Sequence, residues 1–331
     1  MNVWAGGTQR AVAATALAVF LIFAAIPACG ASAARNGTWV EPTSARQASE
    51  FWTVARMRAA KPLELIRSAP QAQSGKRHGH RGKSHRIAAR VGTFGTDFEQ
   101  VTDPTAPEFR VHGAIFLSMG IFGYGRCSGT AVQSRNLSVV ITAGHCLNSG
   151  GKRGRWFGGK SVFVPAYRYG QRPFGVFPAR WIDTTEQWRA NASENFDVGA
   201  MVVKRNEAGE KLVDAVGGAG IAWNLKAGQT FDVHGYPAEA PFDGETQRVC
   251  RSRPFLGHDA NSFLFAGPLN LAVACGLTGG ASGGGWTIEA GSTLNGVTDY
   301  GYFDQGSPVY GAYFGREVAR LYGRAAKVGA R

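Results

Sequence analysis

Thr278-Gly279-Gly280-Ala281-Ser282-Gly283-Gly284-Gly285 sets one serine in a glycine-crowded turn. A serine hydroxyl is a weak nucleophile until a base takes its proton, and bare backbone beside it leaves amides free to hold an oxyanion. Here those amides are Gly280 and Ser282. Far upstream, Ile141-Thr142-Ala143-Gly144-His145-Cys146 offers an imidazole as base. A third group must fix its tautomer, and Asn195-Phe196-Asp197-Val198-Gly199-Ala200 supplies Asp197, with Asp183 the next candidate. Gly280-x-Ser282-x-Gly284 also matches the elbow of α/β-hydrolases, which needs its histidine after the serine. The last histidine of the chain is His258, and the alternating helices of an α/β sheet are missing, so the elbow reading fails.

Outward from this turn, residues 111–331 consist of short apolar runs separated by Gly, Pro, Asn and Asp. Strands are predicted at 112–118, 127–133, 137–142, 161–167, 198–204, 230–234, 262–265, 271–275, 285–288 and 296–302, the pattern of an all-β barrel or sandwich. Only 315–327 reads as helix at the end, with Val318, Leu321 and Tyr322 on one face.

The N-terminal third has a different texture. Residues 11–28 carry no charge and Ala31-Ser32-Ala33 has a small-x-small form, so residues 1–33 read as a signal peptide cut after Ala33, with an exported product that keeps no stable hold on the membrane. Residues 34–110 read as a pro-segment. An amphipathic helix over 43–69 starts at a Ser44/Gln47 capping box, carries Phe51, Val54 and Met57 on one face, and ends or kinks at Pro62. A basic linker at 74–90, with His78, His80 and His85, is open to proteolysis, and Ala89-Arg90-Val91 is a processing point. Residues 111–331 form the main domain.

Five cysteines become four once Cys29 leaves with the signal, which in an exported chain reads as two disulfides. Cys127 and Cys146 flank a strand-turn-strand length, leaving Cys250 for Cys275. The net charge of +13 is concentrated toward the N-terminus: residues 34–110 carry 13 basic and 7 acidic side chains, and the far longer 111–331 carries 22 and 16. No groove-reading motif or aromatic-basic interleaving accompanies it, so no nucleic-acid partner is expected. No carboxylate or cysteine completes a metal set around the linker histidines, and no cofactor is expected.

Three blocks resemble the chymotrypsin-like serine peptidases over roughly residues 111–327. Cys127-Ser128-Gly129-Thr130-Ala131-Val132 with Thr142-Ala143-Gly144-His145-Cys146 is similar to that family's first disulfide and histidine block. Phe196-Asp197-Val198-Gly199-Ala200 resembles its aspartate block, and Gly280-Ala281-Ser282-Gly283-Gly284 its nucleophile block. The resemblance implies an all-β, chymotrypsin-like double six-stranded antiparallel β-barrel with a C-terminal helix. His145 and Asp197 would come from the first barrel and Ser282 from the second, with the site between them. It implies a secreted, monomeric serine endopeptidase acting on protein or peptide substrates and partnered first by its own pro-segment. The alternative is an exported binding protein of the same fold without turnover. Two departures qualify the likeness. Ala281 replaces the aspartate that trypsin-type zymogens pair with a new N-terminus. The substrate-pocket positions Gly276, Thr298, Asp299, Tyr300 and Gly301 include neither a carboxylate at the floor nor the wall histidine of bacterial glutamyl endopeptidases, and Asp299 either favours a basic residue or bonds within the site.

Overall fold

The computed structural model describes residues 37–40, 43–63, 65–67, 83–87, 100–252, 257–258, 266–302 and 308–329. The signal at 1–33, most of the 74–90 linker, the processing point at 89–91 and the strand expected at 262–265 lie outside the described residues. Tyr124–Val132 is the strand round which the first half is wound. It pairs antiparallel with His112–Ser118 on one side and Val139–Thr142 on the other. From Val139–Thr142 the ring continues through Gly199–Val203, Phe177–Thr184 and Val162–Pro165, then returns to His112–Ser118. Six strands thus close on themselves, which removes the unpaired edges an open sheet would present.

The period of two sorts their side chains. Val140 packs inside the ring with Ile115, Leu117, Phe163, Phe177 and Met201. Its neighbours Val139 and Ile141 face outward and pack with Val318, Leu321 and Tyr322 of the C-terminal helix Arg316–Ala325. The apolar stripe read from the sequence is therefore the face that docks. At the helix end, Asn136 Nδ2 donates at 2.9 Å each to the carbonyls of Val328 and of Ala325, the latter also accepting from Val328 N.

In the second half, Gly285–Ile288 has the span its sequence predicts and lies between Phe231–Gly235 and Thr293–Val297. Arg248–Ser252, Gly220–Trp223 and His85–Ile87 complete that six-stranded sheet. A five-stranded sheet holds Gly257–His258, Leu271–Val273, Val309–Gly311, Tyr300–Tyr302 and Leu65–Arg67. Phe231, Val233, Trp286 and Ile288 from the first sheet share a core with Leu271, Val273 and Val309 from the second. Both expected disulfides form, Cys127 with Cys146 and Cys250 with Cys275.

The structure departs from expectation in several places. Phe177–Thr184, Gly220–Trp223, Arg248–Ser252 and Val309–Gly311 are strands where none is predicted, and the 296–302 run divides around Thr298 and Asp299. The helix expected over 43–69 is two short ones, Ala45–Phe51 and Val54–Ala59, because Thr53 turns extended and its hydroxyl caps the second by accepting from Arg56 N. The Ser44/Gln47 capping box forms as read. Beyond Ala60 the described residues include the short strands Lys61–Pro62 and Leu65–Arg67, in keeping with proline's missing donor at 62. These N-terminal elements are no detached appendage. Ala48, Trp52 and Met57 are fully buried against Phe116, Val162, Val164 and Tyr167 of the first barrel.

Candidate active site

Strand register brings the first two groups together. Gly199 pairs with Thr142, so the residues just before the one strand and just after the other are neighbours. Asp197 Oδ2 lies 2.7 Å from His145 Nδ1, and its Oδ1 accepts from the His145 backbone amide at 2.7 Å. The carboxylate is fully buried. A Cβ on Gly144 would stand 2.7 Å from Asp197 Oδ1 and 3.1 Å from the Trp188 ring, so the close approach depends on glycine there. Asp183, the other carboxylate in line, is bound elsewhere: Arg324 Nε donates to it at 2.7 Å and Arg189 lies 3.6 Å away. Its pKa is raised, chiefly by burial, with Arg324 and Arg189 opposing.

The serine turn is held to the first barrel through Ser128. Ser128 N donates to Ser282 O at 2.7 Å, and Ser128 Oγ donates to Gly280 O at 2.8 Å while accepting from Tyr236 N at 2.9 Å. Cys146 Sγ lies 3.7 Å from Ser282 O. Gly283, at φ +78°, is so close to Thr142 and Ser128 that any Cβ would collide with them. The amides of Ala281, Gly283 and Gly284 donate to the carbonyls of Thr278, Thr298 and Ala281. Among the described residues, no acceptor faces the amides of Gly280 and Ser282, the two donors expected from the sequence to hold an oxyanion. On the other edge of the imidazole, His145 Nε2 lies 3.3 Å from Leu63 O.

Two solved structures share 31% of their sequence with the chain. The protease Anisep from Arthrobacter nicotinovorans aligns over 73% of this chain and 99% of its own, with a TM-score of 0.60. A thermostable serine protease from an extremophilic microorganism aligns over 67% and 100%, with a TM-score of 0.61. The chain belongs to the chymotrypsin-like serine proteases. A Glu endopeptidase, at 15% identity and a TM-score of 0.55 over 71% of this chain and 99% of its own, shares the fold. No protein-family model and no curated protein matches the chain.

The positions expected to line this protease's substrate pocket divide. Thr298 is buried and accepts from Trp286 Nε1 at 2.9 Å. Asp299 is fully buried with Oδ2 taking the Ala312 amide, so it bonds within the protein and offers no charge to a basic side chain. Tyr300 is buried, stacks on Tyr310 at 5.1 Å and receives Asn270 Nδ2 on its hydroxyl. Gly301 is partly exposed and pairs with Ile66, while Gly276 is exposed and a Cβ added there would meet open space. A ring nitrogen of His145 and the sulfurs of Cys127 and Cys146 lie within 4.8 Å of one another, but the disulfide leaves neither sulfur as a thiolate ligand.

The sequence reading misses three participants: Ser128, Trp188 and Leu63. Trp188 stands on the short helix Glu186–Asn191, donates from Nε1 to Asn148 O at 2.8 Å, and meets the His145 ring edge-on at 6.4 Å. Thr185 caps that helix, and a Thr-Glu start before an apolar residue is the signal that marks it. Nothing local marks Ser128 or Leu63, whose contacts span 152 and 82 residues.

Proposed function

We propose that the protein is a secreted serine endopeptidase that cuts peptide bonds through an acyl-enzyme on Ser282. Ser282 Oγ attacks the scissile carbonyl carbon while its proton passes to His145 Nε2. The carbonyl oxygen becomes an oxyanion held by the amides of Gly280 and Ser282. Collapse of the tetrahedral adduct breaks the C–N bond, and the amine leaves with the proton from His145. Water then attacks the ester, delivering its proton to His145, and the carboxylate product departs as Ser282 recovers its hydrogen. Asp197 keeps the imidazole in the tautomer and orientation both steps require.

The observation that carries this reading is the buried Asp197 carboxylate bonded to His145 Nδ1 at 2.7 Å, beside two backbone amides with no acceptor among the described residues. A fluorophosphonate should label the processed protein at Ser282, and Ser282→Ala should abolish labelling and lower casein or peptide turnover by about 10⁶-fold. A processed, folded protein that neither labels nor hydrolyses peptides would instead be the exported binding protein.

A further inference from the structure

Residues 61–63 and 65–67 pair with the two halves on either side of the site just described. Lys61 and Pro62 pair parallel with Gly125 and Arg126 of the first barrel, and Leu63 N donates to Arg126 O at 3.0 Å. Leu65, Ile66 and Arg67 pair parallel with Tyr300, Gly301 and Tyr302 of the second half. Between these two docked pieces Leu63 O reaches His145 Nε2 at 3.3 Å. We infer that residues 61–67 form an inhibitory strap that occupies the substrate groove of the full chain and disables its base. This rests on the endopeptidase reading of Ser282 and His145.

The chemistry of the contact is non-productive. Asp197 and the Leu63 carbonyl both accept hydrogen bonds, so a ring bonded to both donates from both nitrogens. A ring that donates to Leu63 O from Nε2 has no lone pair there for the Ser282 proton. A scissile carbonyl, moreover, must aim its oxygen at the Gly280 and Ser282 amides, whereas the Leu63 oxygen is aimed at the base, and among the described residues no bond joins it to either amide. The strap therefore fills the site as a ligand and not as a substrate.

Its hold comes from its anchor. Upstream, Trp52 is sunk in the barrel face and donates from Nε1 to Lys160 O at 2.6 Å, while Arg172 Nη1 reaches Ser49 Oγ at 2.9 Å. Arg58 pairs with Glu245 at 3.5 Å. A segment tethered this close binds intramolecularly at high effective concentration, although parallel pairing is the weaker form of strand addition. A cut in the linker beyond Arg67 removes the downstream tether and lets substrate displace the strap. The anchoring helices, being part of the core, stay behind as a fragment bound to the protease.

The test uses the full chain, unprocessed, in two forms: native, and with residues 61–67 replaced by a Gly-Ser run of equal length. The readout is the rate of Ser282 labelling by a fluorophosphonate. The strap predicts labelling at least tenfold faster in the replacement, with the same final extent in both. Equal and ready labelling of both forms would overturn the strap and leave the endopeptidase reading intact. Labelling of neither, with both folded, would bring down the endopeptidase reading and the strap with it. If the replacement misfolds, Leu63→Pro serves, since it deletes the amide that bonds Arg126 O and the leucine side chain that packs on the first barrel, and it should label severalfold faster than the native chain.

Discussion

Asp197 holds His145 at two points, its Oδ2 on Nδ1 and its Oδ1 on the histidine's own backbone amide, each at 2.7 Å. One carboxylate thus fixes both where the ring is hinged and which way it turns. Asp197→Asn keeps the shape but presents an NH₂ to one of two donors, which favours the wrong tautomer. kcat on a peptide substrate should fall by about 10⁴-fold in the processed protein with little change in KM. A loss of less than tenfold would place the orienting role elsewhere.

Asp299 is a buried carboxyl whose Oδ1 has no hydrogen-bond partner among the described residues. Burial, and next the charge of Asp197, raise its pKa well above the usual carboxylate range, while the Ala312 amide opposes. The folded state therefore keeps a proton that the unfolded chain surrenders near about pH 4. Its contribution to stability is complete below that pH and is lost as pH rises toward the folded pKa. Asp299→Asn, neutral at every pH, should match the native Tm near pH 4 and exceed it at pH 8, as read by calorimetry. A native Tm that rises across that interval relative to the variant would contradict this sign.

His112 and His234 stack face to face at 3.7 Å, each bonded to a threonine hydroxyl, Thr130 at 2.9 Å and Thr287 at 3.3 Å. Phe109 closes on the His234 ring. Burial drives both pKa values down, His234 to about 4 with Asp232 pulling the other way, and His112 well below its ordinary value with the aid of His234's charge. The unfolded histidines take up protons near about pH 6.5 while the folded pair does not. The pair's contribution is thus fully present above about pH 6.5 and disappears as pH falls toward 4. Urea midpoints measured at pH 7, 5.5 and 4.5 should decline in the native protein, and His234→Asn should flatten that decline.

Trp52→Ala would open a cavity between the N-terminal helices and Phe116, and cost the bond to Lys160 O. A loss of about 3–5 kcal/mol is expected from urea unfolding of the full chain. A loss below about 1 kcal/mol would mean that the helices are peripheral to the barrel.

Legibility in the sequence followed the range of the forces. Gly285–Ile288 is readable because glycines bracket an apolar run and both of its faces are buried. Phe177–Thr184 is not, because Pro178, Arg180 and Asp183 interrupt the alternation. What makes a strand there is remote: Arg180 stacks on Trp39, and Asp183 is matched by Arg324 from the far end of the chain. The same holds at the site. The serine, histidine and aspartate stand out by residue type and order, while Leu63 contributes only a backbone oxygen, which every residue carries. Asp299 looks like a pocket charge in sequence because only the Ala312 amide, just past a later strand, reveals that it points inward.

The clamp of Asn136 on the carbonyls of Ala325 and Val328 buckles the tail of the second half to the outside of the first. Chain continuity alone would let the two halves swing about their connection, but this belt fixes how far apart they stand. Heat should accordingly melt them in one step, and whatever gives way when a substrate enters must be loops at the rim and not a hinge between the walls.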